Sequence, residues 1–588
     1  MSTAIVTGSP VPGSSLEGDL RELGFDVRFA PDPADAEAAL AAVPGEQRVA
    51  VVDAGFVGHV HALRLGLTDP RFPASAIPGA VAAQPAARQA LTRAVARTGV
   101  DPDVVAKSLE ADGTDVHHPE LGELVAAVPA DPQARNEARQ ALASVDDEAI
   151  RLRTAVKARD GFFTTYCISP YSRYIARWCA RRGLTPNQVT TASLLVALIA
   201  AGCAATGTRG GFVAAGVLLL ASFVLDCTDG QLARYSLQYS TMGAWLDATF
   251  DRAKEYAYYA GLALGAANAS GDDVWALALG AMVLQTGRHV IDFSFNEANH
   301  DAEANTSPTA SLSGKLDSVG WTVWARRMIV LPIGERWALI ALFTALTTPR
   351  ITFYMLLIGC ALAACYTTAG RVLRSLTRRA RRTDRAAAAL GDLADSGPIA
   401  EVLAKALKTK SAPVLAAVGA VAVVAVSALT DFGSVWPIVA AAVYCVTSGL
   451  AVSRPLKGAL DWLVPPIFRA GEYLTILVLA ARADVQGALP AAFGLVAAVA
   501  YHHYDTVYRI RGNAGSPPHW LVRAIGGHEG RTLVVTVLAA LLTPTDFTLA
   551  LTVLAVAVAL VVLAESIRFW VASAQRGEPA VHDEGEPA

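Results

Sequence analysis

The chain has 588 residues, of which 53% are hydrophobic and 17% are charged, and its mean hydropathy is +0.38. This composition is too apolar for an ordinary soluble protein and indicates a chain that is largely embedded in a membrane. The net charge of −3 provides no basic face for a phosphate backbone, which excludes nucleic-acid binding.

The cysteines and the amino terminus both indicate the cytoplasm. Seven cysteines are present, the first is Cys167, and none forms a CxxC pair, so neither a disulfide framework nor a zinc site is expected. The opening residues, MSTAIVTGSPVPG, lack a basic stretch followed by an apolar one, so no cleaved signal peptide is expected. We therefore expect the amino-terminal region to stay in the cytoplasm.

Residues 1–150 have the pattern of a soluble α/β domain. Two apolar runs, TAIVTG and RVAVVDAG, end in glycine and lead into helical patterns, which predicts βαβ units around a parallel sheet. Such glycines mark either a nucleotide site or ordinary turns. A sugar nucleotidyltransferase would carry an arginine-bearing phosphate loop with a nearby lysine, but the first lysine is Lys107. The pattern favours a Rossmann-like head that, if it descends from a nucleotidyltransferase, has lost catalysis.

Residues 151–380 begin with a basic amphipathic helix and continue as a membrane domain. In YCISPYSRYIARWCARR, arginines alternate with aromatic residues, which is typical of a helix that lies along a membrane interface. Pro186 then suits the first turn of a new helix, where its missing N–H is not needed.

Twelve apolar stretches follow, and each is near the length that spans a bilayer when tilt is allowed for. A charged cytoplasmic linker, 381–411, separates six stretches in the first half from six in the carboxy-terminal domain, 412–588. The stretches are 188–206, 210–226, 252–271, 273–291, 337–350, 352–370, 412–430, 434–452, 470–484, 487–501, 532–546 and 548–570. The predicted fold is a mainly α-helical polytopic membrane protein with an amino-terminal soluble α/β domain.

The arginine distribution predicts the orientation of these spans. Arginines cluster before the first stretch and after the fourth and sixth, whereas the short links near 207, 272 and 350 carry few. The positive-inside rule then places the basic loops and both termini in the cytoplasm of a multi-pass plasma-membrane protein. The two sets of six stretches also raise the hypothesis of an internal duplication, which would be a degenerate one because the second half lacks an acidic motif.

That motif is DCTDGQLARYSLQYSTMGAWLDATFD, residues 226–251. Asp226 and Asp229 are three residues apart, and Asp247 and Asp251 are four apart, so on helices each pair shares one face. Carboxylates this close in a membrane repel one another unless a cation lies between them. Their hard oxygen atoms favour Mg²⁺, Mn²⁺ or Ca²⁺, and several acids in a phosphate-handling cleft commonly hold two ions.

The residues between the acids fit a phosphate-handling cleft. Gly230, Ala233 and Gly243 are small and would let a base and a diphosphate approach the backbone, while Arg234 could pair with phosphate or with an acid. The alternative is a set of interfacial acids that Arg234, Arg252 and Lys254 neutralise. Four acids at this spacing favour the metal interpretation.

The pattern D-x2-D-G-x2-A-R-x8-G-x3-D-x3-D resembles the signature of the CDP-alcohol phosphotransferases, also called phosphatidyltransferases. The resemblance covers about 157–379, and the segment DGFFTTYCISPYSRYIARW is similar to that of members fused to inositol-phosphate cytidylyltransferases. It implies a six-helix membrane domain, a homodimer among membrane lipids, and a cavity open to the cytoplasm. The metal ligands that it implies for two Mg²⁺ or Mn²⁺ ions are Asp226, Asp229, Asp247 and Asp251.

The resemblance also implies a reaction. A phosphoalcohol group would pass from a CDP-linked donor, such as CDP-diacylglycerol, to the hydroxyl of an alcohol or sugar-phosphate acceptor, with release of CMP and with Asp251 as the base. The implied substrate-binding residues are Gly230, Ala233, Arg234, Gly243 and, in the TPN segment, Asn187. A soluble CDP-inositol donor is an alternative. So is a carrier that holds a nucleotide or a lipid headgroup, although such a carrier would not need Asp251 as a base.

Two further polar groups leave alternatives open. An inositol-phosphate acceptor would need arginines for its phosphate, whereas the same arginines could be topology signals; these are Arg288, Arg326, Arg327 and Arg336. In the carboxy-terminal half, a polar cluster could form a headgroup site or a satisfied interfacial network; its members are His502, His503, Asp505, Tyr508 and Arg509.

Overall fold

The computed structural model describes residues 2–157, 160–300, 324, 328–377, 382–406, 408–409, 411–512 and 514–576. It consists of an amino-terminal head with a β-sheet, followed by helices to the end of the described chain. The predicted fold class, an α-helical polytopic protein with a soluble α/β head, is confirmed.

The head is built on a mixed sheet with a core on each face. Its strands are β1 (Ser2–Thr7), β2 (Phe25–Ala30), β3 (Arg48–Asp53), β4 (Val57–Gly58), β5 (Ala74–Ile77), β6 (Ala80–Ala83), β7 (Val116–His117) and β8 (Ala126–Ala127). The large sheet has the order β2-β1-β3-β6-β5-β7, and β4 pairs with β8. Ile5 and Val51 point into one core and Val6 and Val52 into the other, because successive side chains of a strand face opposite sides.

The predicted βαβ unit is present, but the sheet is not entirely parallel. β1 runs parallel to both β2 and β3, whereas β6 runs antiparallel to β3 and to β5. The reversal occurs at Gly79, whose φ of +79° allows a turn of two residues between β5 and β6. Tight antiparallel hairpins need only such a turn, whereas parallel strands need a crossover.

The helices before the first bundle connect the strands of the head and then lead from the head to the bundle. They are α1 (Leu16–Glu22), α2 (Pro33–Ala41), α3 (Val60–Leu67), α4 (Arg88–Thr98), α5 (Pro102–Ala111), α6 (Pro132–Ser144), α7 (Asp147–Thr154) and α8 (Ser169–Arg181). A π-helical turn, Thr164–Ile168, leads into α8. On α8 the large aromatic residues Tyr171, Tyr174 and Trp178 are exposed, as expected for an interfacial helix.

Two bundles of six helices follow. The first bundle is α9 (Pro186–Ala205), α10 (Arg209–Ser236), α11 (Thr241–Ser270), α12 (Trp275–Asn299), α13 (Ile333–Leu346) and α14 (Pro349–Thr377). Two linker helices come next, α15 (Asp384–Ala394) and α16 (Pro398–Ala406). The second bundle is α17 (Ala412–Leu429), α18 (Trp436–Ala451), α19 (Val464–Arg482), α20 (Ala488–Arg511), α22 (Gly527–Leu541) and α23 (Pro544–Arg576), with the short α21 (His519–Ala524) before α22.

Each of the twelve predicted stretches lies mostly in helix, although 337–350 and 532–546 each cross the break between two helices. Within the described residues, six helices are long and apolar enough to cross a bilayer, by length and composition. They are Pro186–Ala205, Arg209–Ser236, Pro349–Thr377, Ala412–Leu429, Asp461–Arg482 and Pro544–Ser573. The remaining six bundle helices are either short, such as α13, α18 and α22, or carry several ionisable residues, such as α11.

Local signals explain where the first bundle begins. Thr185 accepts a hydrogen bond from the backbone of Gln188, and the Gln188 side chain accepts one from the backbone of Thr185, which is a complete capping box. Pro186 occupies the first turn of α9, as the sequence predicts.

The head contacts the carboxy-terminal end of α10. Arg64 and Arg151 both donate hydrogen bonds to the carbonyl oxygen of Tyr235, at 2.6 Å and 2.9 Å. The last carbonyls of a helix have no partner within the helix, and positive groups at this end also interact favourably with the helix dipole. The Tyr235 hydroxyl in turn donates to Glu148 on α7, at 2.9 Å. The head therefore holds the end of the helix that carries the first two aspartates of the motif.

The head should lose stability in acid because of His61. Its imidazole is buried, neither ring nitrogen has a hydrogen-bond partner, and burial lowers its pKa from 6.5 to about 3. Between pH 6.5 and pH 3 the unfolded chain therefore binds more protons, so stability falls as the pH falls, by up to about 1.4 kcal/mol per pH unit. In hydrogen exchange of the β1 and β3 amides, His61→Leu should reduce this acid sensitivity.

The exposed His118 provides the control, and His118→Gln should keep the acid sensitivity of the unmodified chain. Equal acid sensitivity in His61→Leu and in the unmodified chain would contradict the assignment to His61.

Candidate active site

The motif aspartates lie on two consecutive helices of the first bundle. Asp226 and Asp229 are on α10, Asp247 and Asp251 are on α11, and residues 237–240 connect the two helices. The turn starts at Leu237, whose φ of +51° ends α10 with a left-handed residue. Ser240 then caps α11 by accepting a hydrogen bond from the backbone of Gly243. These two helix ends bring the two aspartate pairs to one place.

Three of the aspartates form a group that suits a hard cation. One carboxylate oxygen each from Asp226, Asp229 and Asp247 lies within 4.8 Å of the others. The Oδ2 atom of Asp229 is buried and has no hydrogen-bond partner. A buried, unpartnered carboxylate oxygen is costly, and oxygen ligands at this spacing match Mg²⁺ or Mn²⁺. The residues present therefore fit a divalent ion.

Lys254 forms ion pairs with two of the four motif aspartates. Its ammonium is fully buried, forms an ion pair with Asp226, and lies 2.9 Å from Oδ1 of Asp251 and 3.2 Å from Oγ of Ser193. Lys254 follows Asp251 by three residues on α11, so both side chains lie on one face of that helix. The sequence alternative in which Lys254 balances acids thus describes Asp226 and Asp251. Asp226 also belongs to the group of three with Asp229 and Asp247.

A second ion-pair network links α11 to α13. Glu255 is buried and accepts hydrogen bonds from Arg336 Nε at 3.0 Å, from Arg252 Nη1 at 3.1 Å, and from the Tyr259 hydroxyl at 2.6 Å. Arg252 Nη2 also lies 4.0 Å from Asp251 Oδ2. Buried charges of this kind are stable only when they are paired and hydrogen-bonded, so this network fixes the rotation of α11.

The structure places two of the predicted substrate-binding residues side by side. A methyl group on Gly243 would come within 2.8 Å of Oδ1 of Asn187, so Asn187 borders Gly243. Their role in substrate binding stays a prediction. A methyl group on Gly230 would lie 3.4 Å from the Arg234 guanidinium, so the Arg234 side chain packs against this glycine. Arg234 itself donates a hydrogen bond to the carbonyl oxygen of Ala155 at 2.6 Å, and Ala233 is half-buried beside it.

The structure describes two of the four arginines considered for an acceptor phosphate. Arg336 is buried in the pair with Glu255. Arg288 is buried and donates to Gln285 at 3.1 Å and to the carbonyl oxygen of Val330 at 2.6 Å. Arg326 and Arg327 lie outside the described residues.

The polar cluster of the second bundle is a network of internal pairs. Arg509 lies 2.8 Å from Asp505 and 2.6 Å from Glu565, and His502 lies 3.0 Å from Asp395. These contacts favour the interpretation as a satisfied network, although both ring nitrogens of His503 are buried without a hydrogen-bond partner.

Asp395 is the centre of a group that the sequence reasoning missed. It lies 3.0 Å from Arg469 and 2.8 Å from Arg531, and Arg531 also lies 2.5 Å from Glu472. The spacing of Arg469 and Glu472, three residues apart in an apolar helix, was the signal that could have indicated them.

Comparisons with known proteins identify the first bundle. Residues 183–365 match the family described as CDP-alcohol phosphatidyltransferase, and residues 384–588 match a family described as being of unknown function (DUF5941). The first segment, with its intact acidic motif, is therefore a CDP-alcohol phosphatidyltransferase domain, as the resemblance predicted.

Relatives of known function are similar to part of the chain. A "Bifunctional IPC transferase and DIPP synthase" of Thermococcus kodakarensis is 29% identical over 171 residues, 28% of this chain and 37% of the relative. An "Archaetidylinositol phosphate synthase" of Pyrococcus horikoshii is 35% identical over 91 residues, 16% and 47% respectively. A "Phosphatidylinositol phosphate synthase" of Streptomyces avermitilis is 33% identical over 129 residues, 22% and 50%. The chain thus spans half or less of the length of these relatives.

Removal of the Lys254 ammonium should make stability depend on a metal. Lys254→Met leaves Asp226 and Asp251 without their cation, and breaking a buried pair costs about 3–5 kcal/mol. In thermal unfolding followed by tryptophan fluorescence, we expect a lower midpoint with EDTA and recovery of most of the loss with saturating Mn²⁺.

Lys457→Met is the matched control, because Lys457 pairs with the exposed Asp384 at 2.7 Å, and it should leave the midpoint unchanged. A Lys254→Met midpoint that Mn²⁺ does not raise would contradict a metal site at these carboxylates.

Proposed function

We propose that this chain transfers a phosphoalcohol group from a CDP-linked donor to an acceptor hydroxyl and releases CMP. The observation that carries the proposal is the convergence of three carboxylates beside Asp251, within a CDP-alcohol phosphatidyltransferase domain whose motif is intact. The presence of Asp251 favours a transferase over a carrier, because binding alone needs no base.

The carboxylates of Asp226, Asp229 and Asp247 would hold the divalent ions. The bound ions would supply positive charge for the donor's diphosphate. Asn187 and Gly243 would border the nucleotide, and Gly230, against which the Arg234 guanidinium packs, would let the donor approach the backbone.

Asp251 would carry the proton transfer. Its carboxylate accepts the proton of the acceptor hydroxyl, the acceptor oxygen forms a bond to the phosphorus that bears the donor alcohol, and the bond from that phosphorus to CMP breaks. CMP leaves with the electron pair of the broken bond, and the product is a phosphodiester. Lys254, 2.9 Å away, stabilises the ionised carboxylate that this role requires.

For the substrates, we propose CDP-diacylglycerol and an inositol-phosphate type of acceptor. Two of the similar proteins are named as synthases of archaetidylinositol phosphate and of phosphatidylinositol phosphate, which supports this acceptor. A soluble CDP-inositol donor is the second candidate, supported by the similarity to proteins named for IPC transfer and DIPP synthesis. We place the chain in the plasma membrane with the head and the site on the cytoplasmic side, on the basis of the arginine distribution.

CMP release tests the proposal. The purified full-length chain, in lipid nanodiscs with Mg²⁺ or Mn²⁺, would receive CDP-diacylglycerol or CDP-inositol and a panel of inositol phosphates and alcohols. We expect CMP release that depends on an acceptor, and a decrease in kcat of about a hundredfold or more in Asp251→Asn, because the base is removed.

Asp272→Asn is the matched control, because Asp272 follows the opposite end of α11 and pairs there with Arg350. It should release CMP at the rate of the unmodified chain. No CMP from any pairing, with Mn²⁺-dependent binding of CDP-diacylglycerol retained, would instead support a carrier.

A further inference from the structure

The two bundles share one helix arrangement. In the first bundle, α9 packs on α10 and α11, α10 packs on α13, and α12 packs on α14. In the second bundle, α17 packs on α18 and α19, α18 packs on α22, and α20 packs on α23. The helix before each bundle also packs on the second helix of that bundle, α8 on α10 and α16 on α18. Helix by helix, the second bundle repeats the first.

Short sequence matches occur at corresponding places in the two bundles. The third helices carry RAKEY (252–256) and RAGEY (469–473), and the second helices carry TDG (228–230) and TSG (447–449). The fourth helices carry HVID (289–292) and HHYD (502–505). A Thr-Pro pair, at 348–349 and 543–544, stands at the start of both sixth helices, with the proline as the first helical residue. Four matches in the same order, each on the corresponding helix, indicate a repeat and not a chance similarity.

The matched residues also make the same contacts. Arg252 and Glu255 of α11 form a pair at 3.1 Å, and Arg469 and Glu472 of α19 form one at 3.2 Å. In each bundle the same glutamate also accepts Nε–H of an arginine at the start of the fifth helix, Arg336 at 3.0 Å and Arg531 at 2.5 Å. The ion-pair network behind the candidate active site is thus present twice.

A glutamate at the start of each fifth helix holds the preceding amphipathic segment. Glu335 accepts a hydrogen bond from the backbone N–H of Phe163, just before α8. Glu529 accepts hydrogen bonds from the backbone N–H groups of Gly397 and Ala400, at the start of α16. The correspondence therefore extends outside the bundles to the helix in front of each one.

The second bundle lacks the acidic site. Aligned on the TDG and TSG segments, Asp226 and Asp229 correspond to Cys445 and Ser448, and aligned on the RAKEY and RAGEY segments, Asp247 and Asp251 correspond to Val464 and Phe468. In the same alignment Lys254 corresponds to Gly471, against which Ala420 of α17 packs closely. The acids and the cation that balances them are lost together, and close helix packing replaces them.

We propose that residues 397–576 are a degenerate second copy of the phosphatidyltransferase fold, which binds no metal and serves as a built-in partner subunit for the first copy. Asp395, from the linker, fills the space between Arg469 and Arg531 and makes the network neutral. This inference concerns the architecture and does not depend on the transfer reaction.

The interface between the copies is close to two-fold symmetric. α12 packs on α19 and α11 packs on α20, so the third helix of each bundle contacts the fourth helix of the other, and the two fourth helices, α12 and α20, also pack on each other. α11 packs in addition on the sixth helix, α23. Trp245 of α11 stacks on Trp570 of α23, with ring centroids 5.8 Å apart. An interface between third and fourth helices is one that two copies of a chain could form, and here the second copy is in the same chain.

The second copy also reaches the candidate active site. The Tyr504 hydroxyl lies 2.6 Å from Nδ1 of His289, and His289 Nδ1 lies 3.3 Å from Arg252, the neighbour of Asp251. The Arg252 guanidinium is 5.4 Å from the centroid of the Tyr504 ring. The built-in partner thus contributes contacts that hold α11 at the level of its aspartates.

Cross-linking tests the internal partner directly. In full-length chain with the exposed Cys167 and Cys365 changed to Ser, Trp245→Cys and Trp570→Cys would be combined and treated with a short bifunctional thiol reagent. We expect the peptides around 245 and 570 to be joined within a monomer. The single variant Trp245→Cys is the control and should give no cross-linked dimer. Joining of two chains through residue 245 would overturn the proposal, because a second chain would then occupy this face.

Metal binding by the unmodified chain provides a test that needs no interface variant. Nanodiscs loaded with one chain each should bind Mn²⁺ with the same affinity as discs that hold several chains. Mn²⁺ binding that requires two chains in a disc would overturn the proposal, because the site would then depend on a second subunit.

Paired variants test the loss of the second site. Cys445→Ala with Ser448→Ala should keep the Mn²⁺ affinity within about twofold, whereas the corresponding Asp226→Ala with Asp229→Ala should lower it by about a hundredfold or more. Loss of Mn²⁺ affinity in the first pair would show a second functional site and would overturn the degenerate copy.

Discussion

The buried ammonium of Lys254 is the interaction on which the candidate site depends. Four carboxylates meet at a helix end in a membrane domain, where unpaired charge is strongly unfavourable. Lys254 balances two of them, Asp226 and Asp251, while one carboxylate oxygen each from Asp226, Asp229 and Asp247 lies within 4.8 Å of the others. Asp226 therefore belongs to both groups, and Asp251 belongs only to the pair with Lys254.

Three sets of contacts, from the head, from within the first bundle and from the second bundle, hold the helices of this site in place. The head holds the end of α10 through Arg64 and Arg151, which both donate hydrogen bonds to the carbonyl oxygen of Tyr235 near the end of that helix. Glu255 and Arg336 fix α11 against α13. The second bundle packs on α11 and α12 from the side. Each contact restricts the rotation or position of a helix that carries motif aspartates.

Comparison with the second bundle distinguishes the charged residues that support the helix arrangement from those that form the candidate site. Its third helix keeps the arginine and glutamate that pair with each other and with the fifth helix, yet neither its second nor its third helix has a counterpart of the motif aspartates or of Lys254. The paired charges are therefore required for the helix arrangement itself, since breaking one buried partner would leave the other unpaired. The aspartates and Lys254 are needed only where a cation and a proton transfer are needed.

Much of the fold followed from local patterns in the sequence. Hydrophobic length predicted twelve helical stretches, TPN predicted the start of α9, and the three- and four-residue spacings placed the aspartates in pairs on helix faces. These features depend on residues within one or two helical turns, so the sequence alone determines them. Tertiary structure decided the pairing of Lys254 with Asp226 across two helices, the position of Asp395 beside Arg531, 136 residues away, and the reversal of β6. It also decided the equivalence of the two bundles, because the contacts between helices depend on how the helices cross. Short matches such as RAKEY and RAGEY indicate a repeat only when their helices occupy corresponding positions in the two bundles.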